Sequence, residues 1–186
     1  MFTSEDLVSL VESARDALAE EDKYVTECLK AQGWQHDRGG IRENTNERYY
    51  QFVIWRGLLK SFRLRPRTEK KYYDLSFHDP TDQRSEVAVA EIKGYWSDSG
   101  ETEIGGIKKD IVKLSQAKSP GVMLVLTTHR ADQAKSNYAR LAQDLSLTTS
   151  VFVHREFRTE PWKGQTGDYI FDVIAFLVPN ASSTPA

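Results

Sequence analysis

The chain has 186 residues, 39% of them hydrophobic and 28% charged, which is enough for one buried core and too short for two. A single cysteine, Cys28, excludes an internal disulfide and a cysteine-rich zinc site by counting alone, and its expected role is a small apolar side chain on a helix. The formal net charge of −2 hides an uneven division: residues 1–30 hold eight acids against Arg15, Lys23 and Lys30, whereas residues 37–73 hold ten bases against four acids.

Clustered Arg and Lys displace counterions from a nucleic-acid backbone, so the second stretch suits a polyanionic partner, with a plain solvated face as the equal alternative. The acidic start is the opposite of a secretory signal, and no apolar run approaches the roughly 18 residues that cross a bilayer. A cytoplasmic protein with no membrane span is expected.

In chain order, Thr3 and Ser4 followed by acids open a helix that runs to about Lys30, with Leu7, Leu10, Val11, Ala14 and Leu18 on its apolar stripe and an acidic outer face. Gly33 ends it, and Gly39 and Gly40 mark a loop. A second helix is predicted from about Glu43 to Lys60, capped by Asn44 or Thr45, with Tyr50, Val53, Ile54 and Leu58 inward. Glu47 lies near the start of that inward stripe, an unusual place for an acid.

The period then changes to two. A strand is predicted near Ser61–Leu64, followed by an antiparallel hairpin of Tyr72–Phe77 and Glu86–Tyr95 with a turn at 78–82. Alternation puts Asp74 on one side of the first hairpin strand, and Val87, Val89, Glu91 and Lys93 together on one side of the second. Ile104, Ile107, Ile111 and Leu114 stripe a helix whose other side carries Lys108, Lys109 and Lys113. Val122–Thr127 reads as a strand covered on both faces. A helix through Ala134–Leu145, strands at 149–154 and 169–178, and a disordered tail from 180 to 186 complete the chain. A hairpin followed by a strand-helix-strand unit predicts an α/β fold, a mixed central sheet flanked by helices, in one domain over residues 1–179 with the first 32 as an appended helix.

The chemistry concentrates in Val87-Ala88-Val89-Ala90-Glu91-Ile92-Lys93. An apolar strand ending in two opposite charges on one face must pair or coordinate them if they are buried. Asp74, on the polar side of the neighbouring strand, is the candidate second carboxylate. Two hard carboxylates hold Mg²⁺ with most of its waters, and a lysine stabilises charge or orients a water, which suits phosphodiester hydrolysis. The bland alternatives are an ion pair at a strand end for Glu91 and Lys93, a plain outward residue for Asp74, and a surface acid for Glu47. His78, His129 and His154 follow no ligand spacing, so neither zinc nor a catalytic histidine is expected. The four tryptophans, Trp34, Trp55, Trp96 and Trp162, are expected in core or rim packing, Trp96 closest to the site.

With Asp74, sixteen intervening residues, Glu91-Ile92-Lys93, and then a basic amphipathic helix and an apolar strand, the segment 43–128 resembles the PD-(D/E)XK nuclease superfamily. The resemblance implies a restriction-endonuclease-like αβββαβ core with an extra N-terminal helix. It implies Mg²⁺, with Mn²⁺ as substitute, on Asp74 and Glu91, catalysis by Asp74, Glu91 and Lys93, and Glu47 as a further metal ligand. Tyr73 stands where the motif's proline would be, and Gln116 has Pro120 rather than tyrosine four residues on, unlike the exonuclease-like subgroup. DNA is the implied partner, met by Lys108, Lys109, Lys113, Arg63, Arg65 and Arg67. A nuclease-like module that binds nucleic acid or a protein partner without cutting is the alternative, and a homodimer would serve symmetric cutting of both strands. A two-carboxylate glycosidase would have no use for Lys93 or the basic stretch.

Overall fold

A computed structural model describes residues 1–32, 40–70, 72–82, 84–96, 101–132, 137–147, 151–160 and 167–181. Five helices and six strands are present among them: α1 (Ser4–Ala31), α2 (Gly40–Asn44), α3 (Glu47–Ser61), β1 (Arg65–Lys70), β2 (Tyr73–His78), β3 (Glu86–Tyr95), α4 (Glu101–Ser115), β4 (Gly121–Arg130), α5 (Asn137–Asp144), β5 (Val153–Thr159) and β6 (Tyr169–Val178). The strands form one mixed sheet in the order β1-β2-β3-β4-β6-β5. All neighbours are antiparallel except β3 and β4, which run parallel because α4 carries the chain back across the sheet. The predicted α/β class, with a mixed sheet between helices, is thus the fold observed.

Each sheet face has its own core. On one, α1, α2 and α3 bury Leu10, Leu18, Ile41, Ile54 and Leu58 against Leu75, Ala90, Ile92, Leu124 and Val173. On the other, Ile107 and Leu114 of α4 and Leu141 of α5 cover Val89, Met123, Val125 and Ile174. β4 lies between its two neighbours with both faces covered, which is why its sequence is a continuous apolar run.

Several boundaries differ from those the sequence predicts. α3 starts at Glu47, not Glu43, because the side chain of Asn46 caps it, accepting from Tyr49 N at 3.1 Å. Gly40, expected in a loop, opens α2. The strand expected at Ser61–Leu64 forms at Arg65–Lys70, since α3 continues through Ser61. β5 begins at Val153, four residues later than expected. The expected features at Gly33, Gly39, 97–100 and 182–186, and Trp34 and Trp162, lie outside the described residues. Trp55 and Trp96 pack against the core as expected. Among the described residues no helix is long and apolar enough to cross a membrane.

The charge division acquires a physical meaning here. α1 is no appendage but a core helix, and part of its acidic content faces inward. Glu21 pairs with Arg56 and Glu20 with Lys60 across the α1–α3 contact, and Asp6 pairs with Arg63 just beyond the end of α3. Burial works to raise the Asp6 pKa, yet the hydrogen bonds from Arg63 and Thr3 outweigh it and hold the carboxyl below its ordinary value. Three of the eight acids and three of the ten bases thus face each other at or beside this contact.

Candidate active site

β2 and β3 form a regular antiparallel ladder as far as the pair Leu75↔Ala90. The next pair along would set Asp74 opposite Glu91. Instead of continuing the backbone ladder, Asp74 turns its side chain to β3, where Oδ2 accepts from Ile92 N at 2.8 Å. The carboxylate replaces a strand carbonyl and satisfies a donor that would otherwise be orphaned. Burial, the largest influence, raises the Asp74 pKa, and the Ile92 N–H and the two lysine charges offset it only in part.

Glu91 follows on β3, only 3% exposed. Lys113 Nζ stands 2.5 Å from its Oε1. Burial, with further repulsion from Asp74 and Asp110, pushes the Glu91 carboxyl up to about 7 against the pull of Lys113. Lys93, two residues on and on the same face, donates to Glu47 Oε1 at 2.8 Å and lies 3.6 Å from Asp110 Oδ2. Burial works to lower the Lys93 pKa, but the hydrogen bond and charge of Glu47, with Asp110 and Asp74 behind it, win and raise it.

The site is therefore built by four elements: Glu47 from the first turn of α3, Asp74 from β2, Glu91 and Lys93 from β3, and Asp110 and Lys113 from α4. Asp110 and Lys113 sit three apart on one side of α4 and reach the site together. Lys113 also donates to the carbonyl of Tyr72 and lies 5.1 Å from the centre of the Tyr73 ring. Tyr72 has φ of 88°, a strained backbone for a non-glycine residue, and directly precedes the strand that carries Asp74.

The sequence-predicted residues are distributed as follows. Asp74, Glu91, Lys93 and Glu47 converge. Glu47, implied as a metal ligand, is bound to Lys93, and Lys113, assigned to the outer basic face, belongs to the inner cluster. Lys108 and Lys109 are exposed on α4. Arg65 and Arg67 alternate on β1 opposite His78 and Ser76, on the Asp74 side of the sheet, whereas Arg63 turns to Asp6. Asp110 was not anticipated; its only signal in the sequence is an acid on the lysine-rich side of a helix.

With all groups ionised, the four carboxylates of Glu47, Asp74, Glu91 and Asp110 face two ammonium groups, a local excess of two negative charges. Asp110 Oδ2 is buried with a charge partner, Lys93 at 3.6 Å, but no hydrogen bond. This orphaned oxygen and the excess of carboxylates over ammonium groups fit a divalent cation of the Mg²⁺ type. Among the described residues, however, the one group of three or more ligand-type side chains whose atoms all lie within 4.8 Å is elsewhere: His154, Glu156 and Asp172.

His129 and His154, without ligand spacing in the sequence, both reach Asp172 at 2.7 Å.

Comparison with known proteins yields no match to a family model, to a curated protein or to a solved structure.

Proposed function

We propose that this chain is a cytoplasmic, Mg²⁺-dependent endonuclease that hydrolyses phosphodiester bonds in DNA, a PD-(D/E)XK nuclease of restriction-endonuclease-like fold. The observation that carries this is the convergence of Asp74, Glu91 and Lys93 where β2 and β3 part, in a site where four carboxylates meet two ammonium groups. The order α3-β1-β2-β3-α4-β4 supports the αβββαβ core, with α1, α5, β5 and β6 added around it.

Asp74 and Glu91 would hold the cation, with Mn²⁺ as a substitute. When bound, Mg²⁺ polarises a phosphoryl oxygen and lowers the pKa of a coordinated water. Asp74 keeps one oxygen on Ile92 N, which orients its carboxylate. Lys93 remains a cation, because Glu47 and Asp110 raise its pKa, so it stabilises developing negative charge rather than accepting a proton. Lys113 pairs with Glu91, and would give up that contact if Glu91 held the ion. Lys108 and Lys109 on α4, with Arg65 and Arg67 on the same side of the sheet, suit contact with the phosphate backbone.

The test is nicking of supercoiled plasmid DNA by the full chain in Mg²⁺ or Mn²⁺, with EDTA as control. Wild-type protein is expected to cut, whereas Glu91→Ala and Asp74→Asn, checked for folding by circular dichroism, do not. Wild-type protein that nicks no nucleic acid in either metal overturns the proposal. The pairing of Lys113 with Glu91 favours one second reading, a nuclease-like module binding nucleic acid or a protein partner without cutting. DNA binding indifferent to Mg²⁺ and to Asp74→Asn would support it instead.

A further inference from the structure

Asp172 lies in an otherwise apolar stretch of β6 and is 0% exposed. The ladders align it with Thr127 of β4 on one side and Glu156 of β5 on the other. Two residues along each neighbouring strand, and by alternation on the same face, stand His129 and His154. Both point at the carboxylate: His129 Nδ1 is 2.7 Å from Oδ2 and His154 Nε2 is 2.7 Å from Oδ1. His154 Nε2 is also 4.0 Å from Glu156 Oε2. The Tyr138 ring of α5 stacks on the His154 ring at 4.7 Å between centroids and 17° between planes, which fixes the imidazole orientation.

We propose that His154, Glu156 and Asp172 form a binding site for a divalent transition-metal ion of the Zn²⁺ class, with His129 orienting the Asp172 carboxylate. One ligand atom from each of the three lies within 4.8 Å of the others, a spacing that a single ion closes by small side-chain rotations. A buried carboxylate needs neutralisation, and two imidazole contacts supply less of it than an ion does. Imidazole nitrogen with carboxylate oxygen is a borderline donor set, which favours Zn²⁺ over Mg²⁺.

The proton balance is simple. An ionised Asp172 only accepts, so its contacts require N–H at His129 Nδ1 and at His154 Nε2. With an ion bound, His154 would carry its proton on Nδ1 instead, exchanged through solvent, so that the Nε2 lone pair is available as a ligand. His129 keeps its N–H on Asp172 Oδ2, the supporting contact typical of ligating groups. The ion would tie the edge strand β5 to β6 and stabilise the folded chain. It lies on β5 and β6, whereas the nuclease residues lie on α3, β2, β3 and α4.

The experiment titrates EDTA-stripped, desalted full-length protein with ZnCl₂ by calorimetry and thermal melting, in an Asp74→Asn/Glu91→Gln background that removes the proposed nuclease ligands. One Zn²⁺ per chain and a rise in Tm, with no comparable response to MgCl₂, are expected. Adding His154→Gln and Glu156→Gln should weaken binding by more than about tenfold. Co²⁺ in place of Zn²⁺ should give visible d–d absorption that the same substitutions abolish, a signature independent of stability. The proposal is overturned if no saturable Zn²⁺ binding occurs, or if affinity and the Co²⁺ spectrum survive those substitutions. Loss of DNA cleavage in the background protein leaves these readouts untouched, so the two proposals fail separately.

Discussion

The ammonium of Lys113 stands 2.5 Å from Glu91 Oε1, a helix cation set against a carboxylate that the fold has almost closed from solvent. Even so, Glu91 is held up to about 7, so burial outweighs the ion pair. An acid whose pKa is raised on folding adds stability below its unfolded pKa and loses it as pH climbs through the folded one. Metal-free wild-type protein should lose stability from about pH 4.5 to about 7 through this group. Glu91→Gln removes that loss. Melting curves in EDTA should show the variant close to wild type at pH 5 and more stable at pH 8, by about 2 kcal/mol or some 4–8 °C. Equal melting temperatures at both pH values would contradict the shifted Glu91.

Metal binding should follow the same titration. A cation on Glu91 competes with one proton, so the Mg²⁺ concentration for half-maximal nicking should rise about tenfold per pH unit below pH 7 and level off above it. Activity measured across a Mg²⁺ series at pH 6, 7 and 8 decides this. A half-saturation point that does not move with pH would remove Glu91 from the ligand set.

The basic residues should separate into two groups. Lys108 and Lys109 are exposed, and replacing both with Glu should weaken DNA binding and flatten its dependence on log salt, by about one unit of slope per lost phosphate contact, without changing Tm. Arg63 is bound to the buried Asp6, so Arg63→Ala should lower stability by about 1 kcal/mol, discounted because the guanidinium is largely in solvent, and leave DNA affinity unaltered. Fluorescence anisotropy at several salt concentrations, alongside melting curves, tests both.

Gly57 marks the crossing of α1 and α3. A Cβ there would meet Ala17 Cβ at 2.4 Å and the Ser13 carbonyl at 3.3 Å. Alanine is the better helix former by about 1 kcal/mol, yet overpacking costs roughly 1–3 kcal/mol, so Gly57→Ala should destabilise or at best break even in urea unfolding. A clear gain in stability would show that the two helices can separate without cost.

The sequence alone determined a good deal: the order of the elements apart from α2, the faces of β3, and the place of Asp74 on the strand beside Glu91 and Lys93. All follow from periods of 2 and 3.6 that local backbone geometry imposes on any chain. It also made the apolar run of β4 legible as a strand covered twice. What only the tertiary structure decided lies between elements distant in sequence. Nothing local told Lys113 and Asp110 to reach the site rather than solvent, or told Arg56, Lys60 and Arg63 to pair with acids of α1. His129, His154 and Asp172 had no recognisable spacing because three different strands supply them, and the order β4-β6-β5 alone makes them neighbours. Backbone periodicity is set by bonds within a few residues, whereas charge partners are chosen by which elements the buried core brings into contact.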